Sequence, residues 1–374
     1  MLSKREKMIR TLREGYKDEA LFVTYKDVIV PTADLWDHVG RENVGIITFG
    51  DAHKYVSHKC SIERNEIVEN GWKGEFNVLK TPIGSLNEKK LHNPLLGSTA
   101  IREHYVKDIK DFEILQYYLN DLTVEPNLTR KPGESDSREH VMLTPSEAEA
   151  LTGDDGLVMY VTDRTPFQQT WISWCELLDF AIYIAEEPDI VEPVLQRMGD
   201  LLLMAAEVAA EYARNNEVHL VSIPDNITAP VIGRANFEKY CLPYYEKIVA
   251  MFKPLGIRVF VHIDGDFKPL WSLIGKSGIG GIDSFSPTPA NDTSIEDAVG
   301  MWPDMVLIAN FPSPIHLSDE DTIYKTAIHL LEEGHKHGRM WMGLTENVPP
   351  DRWRQSIPPI IRAIGDYNAG LSKK

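Results

Sequence analysis

His262 and Asp264 stand two residues apart in "RVFVHIDGD" (258–266). On an extended strand their side chains leave the same face. An imidazole held beside a carboxylate can share a proton or ligate a metal. Asp266 follows directly, and Glu346 ends another apolar run, "RMWMGLTEN" (339–347). Asp225-Asn226 closes a third, "VHLVSIPDN" (218–226). His262, Asp264 and Glu346 make a three-ligand set with one position open for substrate, as catalytic zinc uses. The same residues also read as a core histidine beside turn-capping acids, or as metal-free acid–base groups with Asp225 among them.

For these side chains to meet, the fold must gather strand ends. Six short apolar runs alternate with helical stretches from residue 157 onward: 157–163, 218–226, 258–266, 281–289, 305–312 and 339–347. Two earlier runs, "EALFVTY" (19–25) and "VGIITFG" (44–50), bring the count to eight. Near-continuous apolar strands separated by helices predict a parallel sheet covered on both faces. Eight such units predict a (β/α)8 TIM barrel, whose C-terminal strand ends converge on one rim. No G-x-G-x-x-G follows any strand, which weakens a dinucleotide-binding alternative.

Residues 51–156 break the rhythm and are expected to form an N-terminal elaboration on one domain spanning 1–374. They read as a hairpin in "FNVLKTPIGSLNEKK", a helix near 101–121 and a polar loop near 124–140. Aromatic residues crowd the expected rim and the helix starts beside it: Phe167, Trp171, Trp174, Phe267, Phe311 and Trp341. Phe167, Trp171, Phe311 and Trp341, with Asn226, are candidates for holding a flat or apolar ligand. "HKH" (335–337) reads as an exposed helix end.

The formal charge of −17 argues against nucleic acid and anionic membranes as partners. No run of about 18 apolar residues suggests a membrane span. Three scattered cysteines and a charged amphipathic N-terminus, without a signal core, suggest a cytoplasmic protein.

Several segments together resemble the uroporphyrinogen decarboxylase superfamily, and within it the cobalamin-dependent methyltransferases. They are "KTPIGSL", "REHYVKDIKDFEIL", "EEPDIVEPVLQRMGDLLL", "FEKYCLPYYEKIVAMFKPLGIRVFVHIDGD", "MVLIANFPSPIHL" and "MGLTENVPPDRW". In that branch the strand corresponding to 258–266 carries His-x-Cys-Gly, and a second cysteine on the last strand's loop completes a zinc site. Here His262 and Gly265 remain, Asp264 replaces the first cysteine, and Glu346 stands at the second position. The resemblance thus implies zinc on His262, Asp264 and Glu346, with Asp225 orienting a ligand or substrate hydroxyl. It also implies cobalamin supplied by a separate corrinoid protein, since no Asp-x-His-x-x-Gly motif is present.

Carboxylates leave zinc more electrophilic than thiolates do, which suits polarising an ether oxygen. The chain is therefore similar to the first methyltransferase of corrinoid O-demethylase systems, with an aryl methyl ether as the expected donor. An amine or thiol donor, a metal-free decarboxylase or lyase, and an inactive relative that only binds corrinoid proteins are the alternatives. Uroporphyrinogen itself is not expected as substrate, because residues 20–50 lack the arginine-rich segment that neutralises its carboxylates.

Overall fold

The computed structural model describes residues 2–94, 98–129, 143–349 and 351–373. Two strands, β1 (Phe22–Tyr25) and β2 (Val44–Gly50), precede the excursion. Within it lie β3 (His53–Ser57), β4 (Ser61–Glu69), β5 (Trp72–Thr81), β6 (Gly84–Asn93), β7 (Ser98–Glu103) and β8 (Leu122–Pro126). Six more strands follow: β9 (Gly156–Val161), β10 (Leu220–Ile223), β11 (Arg258–His262), β12 (Gly281–Phe285), β13 (Val306–Asn310) and β14 (Met340–Leu344).

The eight expected apolar runs all become strands, and they close in the order β1-β14-β13-β12-β11-β10-β9-β2. Every neighbouring pair is parallel. This is the TIM barrel that the alternating pattern predicts. Alternate residues fill the inside: Val23 and Tyr25 from β1, Leu157 and Met159 from β9, Phe260 from β11, Ile308 from β13 and Trp341 from β14. Burying each such side chain contributes roughly 1.5–3 kcal/mol.

One end of the barrel is closed by its own N-terminus. Helix Lys4–Arg13 begins with a capping box, in which Ser3 and Glu6 each satisfy the other's backbone N–H. Its buried residues Met8 and Leu12 belong to the interior cluster. The arginines that open β11 and precede β14 hold its far end: Arg258 donates to the Leu12 carbonyl, and Arg339 to that of Thr11 at 3.3 Å. The plug therefore sits at the N-terminal ends of the strands.

The structure divides the chain into two compact units. The barrel unit holds residues 1–52, 142–162 and 210–374, and the second unit holds 53–141 and 163–209. The second unit thus takes a segment that the sequence assigned to the barrel's own rhythm. Periodicity reveals a helix such as Pro188–Asn215 but not the partner it packs against.

The second unit has an antiparallel sheet ordered β4-β5-β6-β7 and an antiparallel pair, β3-β8. The expected hairpin is β5 and β6. The helix expected near 101–121 is confined to Asp111–Asp121, because residues up to Glu103 belong to β7. Residues 124–126 of the expected polar loop belong to β8, and 130–140 lies outside the described residues. Asp121 organises this unit's β3–β4 turn. It accepts from the Ser57 hydroxyl at 2.7 Å and from the N–H groups of His58 and Lys59 at 2.8 Å each. Partial burial would raise its carboxyl, but these donors outweigh that and hold it down to about 2. Among the described residues, no helix is long and apolar enough to cross a membrane.

Candidate functional site

The C-terminal ends of β1, β11, β12, β13 and β14 carry a connected polar cluster. His262 is the last residue of β11 and lies in register with Asp283 of β12. Its Nδ1 is 3.3 Å from Asp283 Oδ2, and its Nε2 is 3.5 Å from Asp264 Oδ2. The imidazole is therefore held between two carboxylates. Asp283 is buried, and from across the barrel the Tyr25 hydroxyl donates to its other oxygen. Asp264 is 30% exposed, so the cluster opens to solvent on that side.

Burial alone would lower the imidazole. Asp264 and Asp283 outweigh it and raise His262 to about 10. Burial likewise pushes Glu346 above the ordinary carboxylate range. The Ser286 hydroxyl pulls it down, and the Asp264 charge pushes it further up. Ser286 donates directly to Glu346. Asn310, at the end of β13, donates to Ser286 at 3.2 Å and to Ser284 at 2.9 Å, while the Thr345 N–H donates to its carbonyl oxygen at 2.9 Å.

Backbone geometry explains "HIDG". A side chain on Gly265 would come within 2.4 Å of Thr228, so the chain passes there only as glycine. Asp266 contributes its carbonyl, which accepts from the Ala229 N–H at 2.6 Å. Asn291 fastens the same loop by donating to the Asp264 carbonyl at 2.6 Å.

Of the residues singled out from sequence, His262, Asp264 and Glu346 come together in one electrostatic cluster. Asp225 is fully buried and accepts from Tyr245 of helix Leu242–Phe252 at 2.6 Å, which anchors it to the helix layer. Asn226 is half-buried. Trp341 is 0% exposed inside the barrel, so it packs the core and offers no face to a ligand. Phe311 is buried against the ring of His316. Phe167 and Trp171 belong to the second unit, where Phe167 packs on Phe180 and the Trp171 N–H donates to Gln168 at 2.8 Å. His335 ends a helix as expected but is buried against Tyr367 rather than exposed.

Asp283, Tyr25, Ser286 and Asn310 were not singled out as site residues. The one signal for Asp283 was an acid inside the apolar run "GIDSF".

Among the described residues, no three His, Cys, Asp or Glu side chains converge as a metal site. Glu346 is turned toward Ser286 instead. The donor chemistry nevertheless suits a divalent cation. Asp283 on Nδ1 leaves Nε2 directed toward Asp264. The 3.5 Å between Nε2 and Oδ2 is long for a hydrogen bond. It matches the roughly 3.4 Å separating two ligands on a tetrahedral zinc ion.

Fold and rim together define a TIM-barrel protein with a histidine–carboxylate cluster at the C-terminal ends of its strands. Residues 179–355 match the family model of uroporphyrinogen decarboxylase (URO-D). A curated relative, the methylcobamide:CoM methyltransferase MtbA of Methanosarcina acetivorans, is 25% identical over 221 residues. That match covers 55% of this chain and spans 57% of the relative's length. A solved methyltransferase from Methanosarcina mazei superposes with a TM-score of 0.57, covering 98% of this chain and 99% of its own. At 12% identity it speaks for the fold alone. The chain thus resembles the uroporphyrinogen decarboxylase superfamily and its cobalamin-dependent methyltransferase branch, as its motifs implied.

Proposed function

We propose that this protein is a methyltransferase that moves a methyl group from an aryl methyl ether to the cob(I)alamin of a separate corrinoid protein. The observation that carries the reading is the Asp283–His262–Asp264 arrangement with Glu346 beside it, at the barrel end where such enzymes work.

His262, Asp264 and Glu346 would hold a zinc ion, whose Lewis acidity would stabilise the charge developing on the departing aryl oxygen. Asp283 fixes the imidazole through Nδ1, so that Nε2 faces the opening. Tyr25 holds Asp283 in turn, and Ser286, itself held by Asn310, holds Glu346. The absence of thiolates disfavours a thiol donor. The net charge of −17 offers the partner a negative surface.

A second reading, a metal-free decarboxylase or lyase, draws on the raised Glu346, a carboxyl suited to donating a proton. One experiment separates the two. Zinc content and methyl transfer from an aryl methyl ether to a corrinoid protein are measured for wild type, Asp264→Ala and Glu346→Ala. About one zinc per chain, lost in both variants together with transfer, is the expected result. Wild-type protein that holds no zinc and gains no activity from added zinc would sink the zinc mechanism. Full transfer by both variants would sink the residue assignment.

A further inference from the structure

We propose that Ser284 is a positioning residue: the one extra residue it adds to β12 is what lets Asp283 and Ser286 share the interior face, the first toward His262 and the second toward Glu346. The inference rests on His262 and Glu346 being the working groups.

The register carries it. Ile282 pairs with Leu307, but three residues later Phe285 pairs with Ala309, only two beyond Leu307. One residue of β12 is therefore extra, and Ser284 is the one with φ of 58°. Side chains of a strand alternate between faces, so one extra residue reverses the alternation beyond it. Before the bulge, Asp283 faces the barrel interior and His262. After it, Ser286 faces the interior and Glu346, while Phe285 packs outward, 6.0 Å from the ring of Phe267. A regular strand would exchange the last two. Phe285 would enter the polar rim, and Glu346 would lose its hydroxyl partner.

Ser284 is itself fully buried and tied into the cluster. Asn310 Nδ2 donates to its hydroxyl at 2.9 Å and Thr345 Oγ1 at 3.1 Å. Left-handed backbone is disfavoured for any residue with a Cβ. A buried serine persists there because its neighbours hold it. The strain and the site therefore coincide at one residue.

The experiment uses the full-length protein and the variants Ser284→Gly, Ser284→Ala and Ser284→Val. Glycine adopts the left-handed conformation freely, whereas a β-branched residue resists it most. The first readout is the 15N chemical shift of the His262 ring, which reports its contact with Asp283 and needs neither zinc nor turnover. Ser284→Gly is expected to keep the wild-type signature and zinc affinity within about threefold. Ser284→Val is expected to lose the signature and weaken zinc binding by about 10–100-fold. Retention of both by Ser284→Val, or loss of the signature by Ser284→Gly, would overturn the proposal.

Should Ser284→Val fail to fold, melting of the other two decides. Ser284→Gly is expected to melt several degrees above Ser284→Ala, and equal or reversed midpoints would overturn the role of the backbone. A wild type without zinc affinity would defeat the proposed function, and the 15N signature would still judge Ser284.

Discussion

Asp121 and Glu346 are both partly or largely buried carboxylates, and they are treated in opposite ways. Asp121 collects a hydroxyl and several backbone N–H groups. Its pKa falls to about 2, and the charge is permanent at neutral pH. Glu346 is more deeply buried, and that burial, with the Asp264 charge beside it, raises its pKa despite its hydroxyl partner. A carboxylate surrounded by donors fastens a turn. One crowded by another carboxylate stays ready to take up a cation or a proton.

That contrast predicts different outcomes from similar substitutions. The largest effect is expected at the crowded site, where Asp264→Ala should lower methyl transfer by at least about 100-fold and remove the zinc. Next comes Asp283→Asn. It keeps the shape but weakens the hold on His262, and zinc affinity titrated by calorimetry should fall about 10-fold or more. An unchanged affinity would show that Asp283 does not orient the imidazole.

Asp121→Ala should do the reverse. It should leave transfer intact and lower unfolding free energy in urea by about 1–3 kcal/mol, since several donors lose their acceptor. If transfer falls in step with stability, the division between fastening and working carboxylates breaks down.

The smallest effect is one of pH. The pKa of Asp121 is lowered on folding, from 3.8 to about 2. Its stabilisation is therefore fully present above 3.8 and disappears as pH falls toward 2. The stability gap between wild type and Asp121→Asn should shrink over that window. A gap independent of pH would mean that the turn depends on shape and not on the charge.

The barrel was legible because its strands are buried on both faces and so read as unbroken apolar runs. The second unit was harder. β7 carries Arg102 and Glu103 on a sheet margin, and such a polar edge resembles the start of a helix when partners are unknown. The aromatic candidates divided for a related reason. Composition places Trp341 near the rim, but only closure of the barrel decides that alternation turns it into the core.

The sequence by itself determined the eight strands, their parallel order and the shared face of His262 and Asp264, because these follow from local periodicity. Tertiary structure alone decided which groups His262 meets. Asp283 approaches it from the neighbouring strand, 21 residues away in the chain, and Tyr25 holds that carboxylate from 258 residues away. It also decided that Ser286, rather than Phe285, faces Glu346, because a one-residue bulge at Ser284 is set by strand register and leaves no periodic mark.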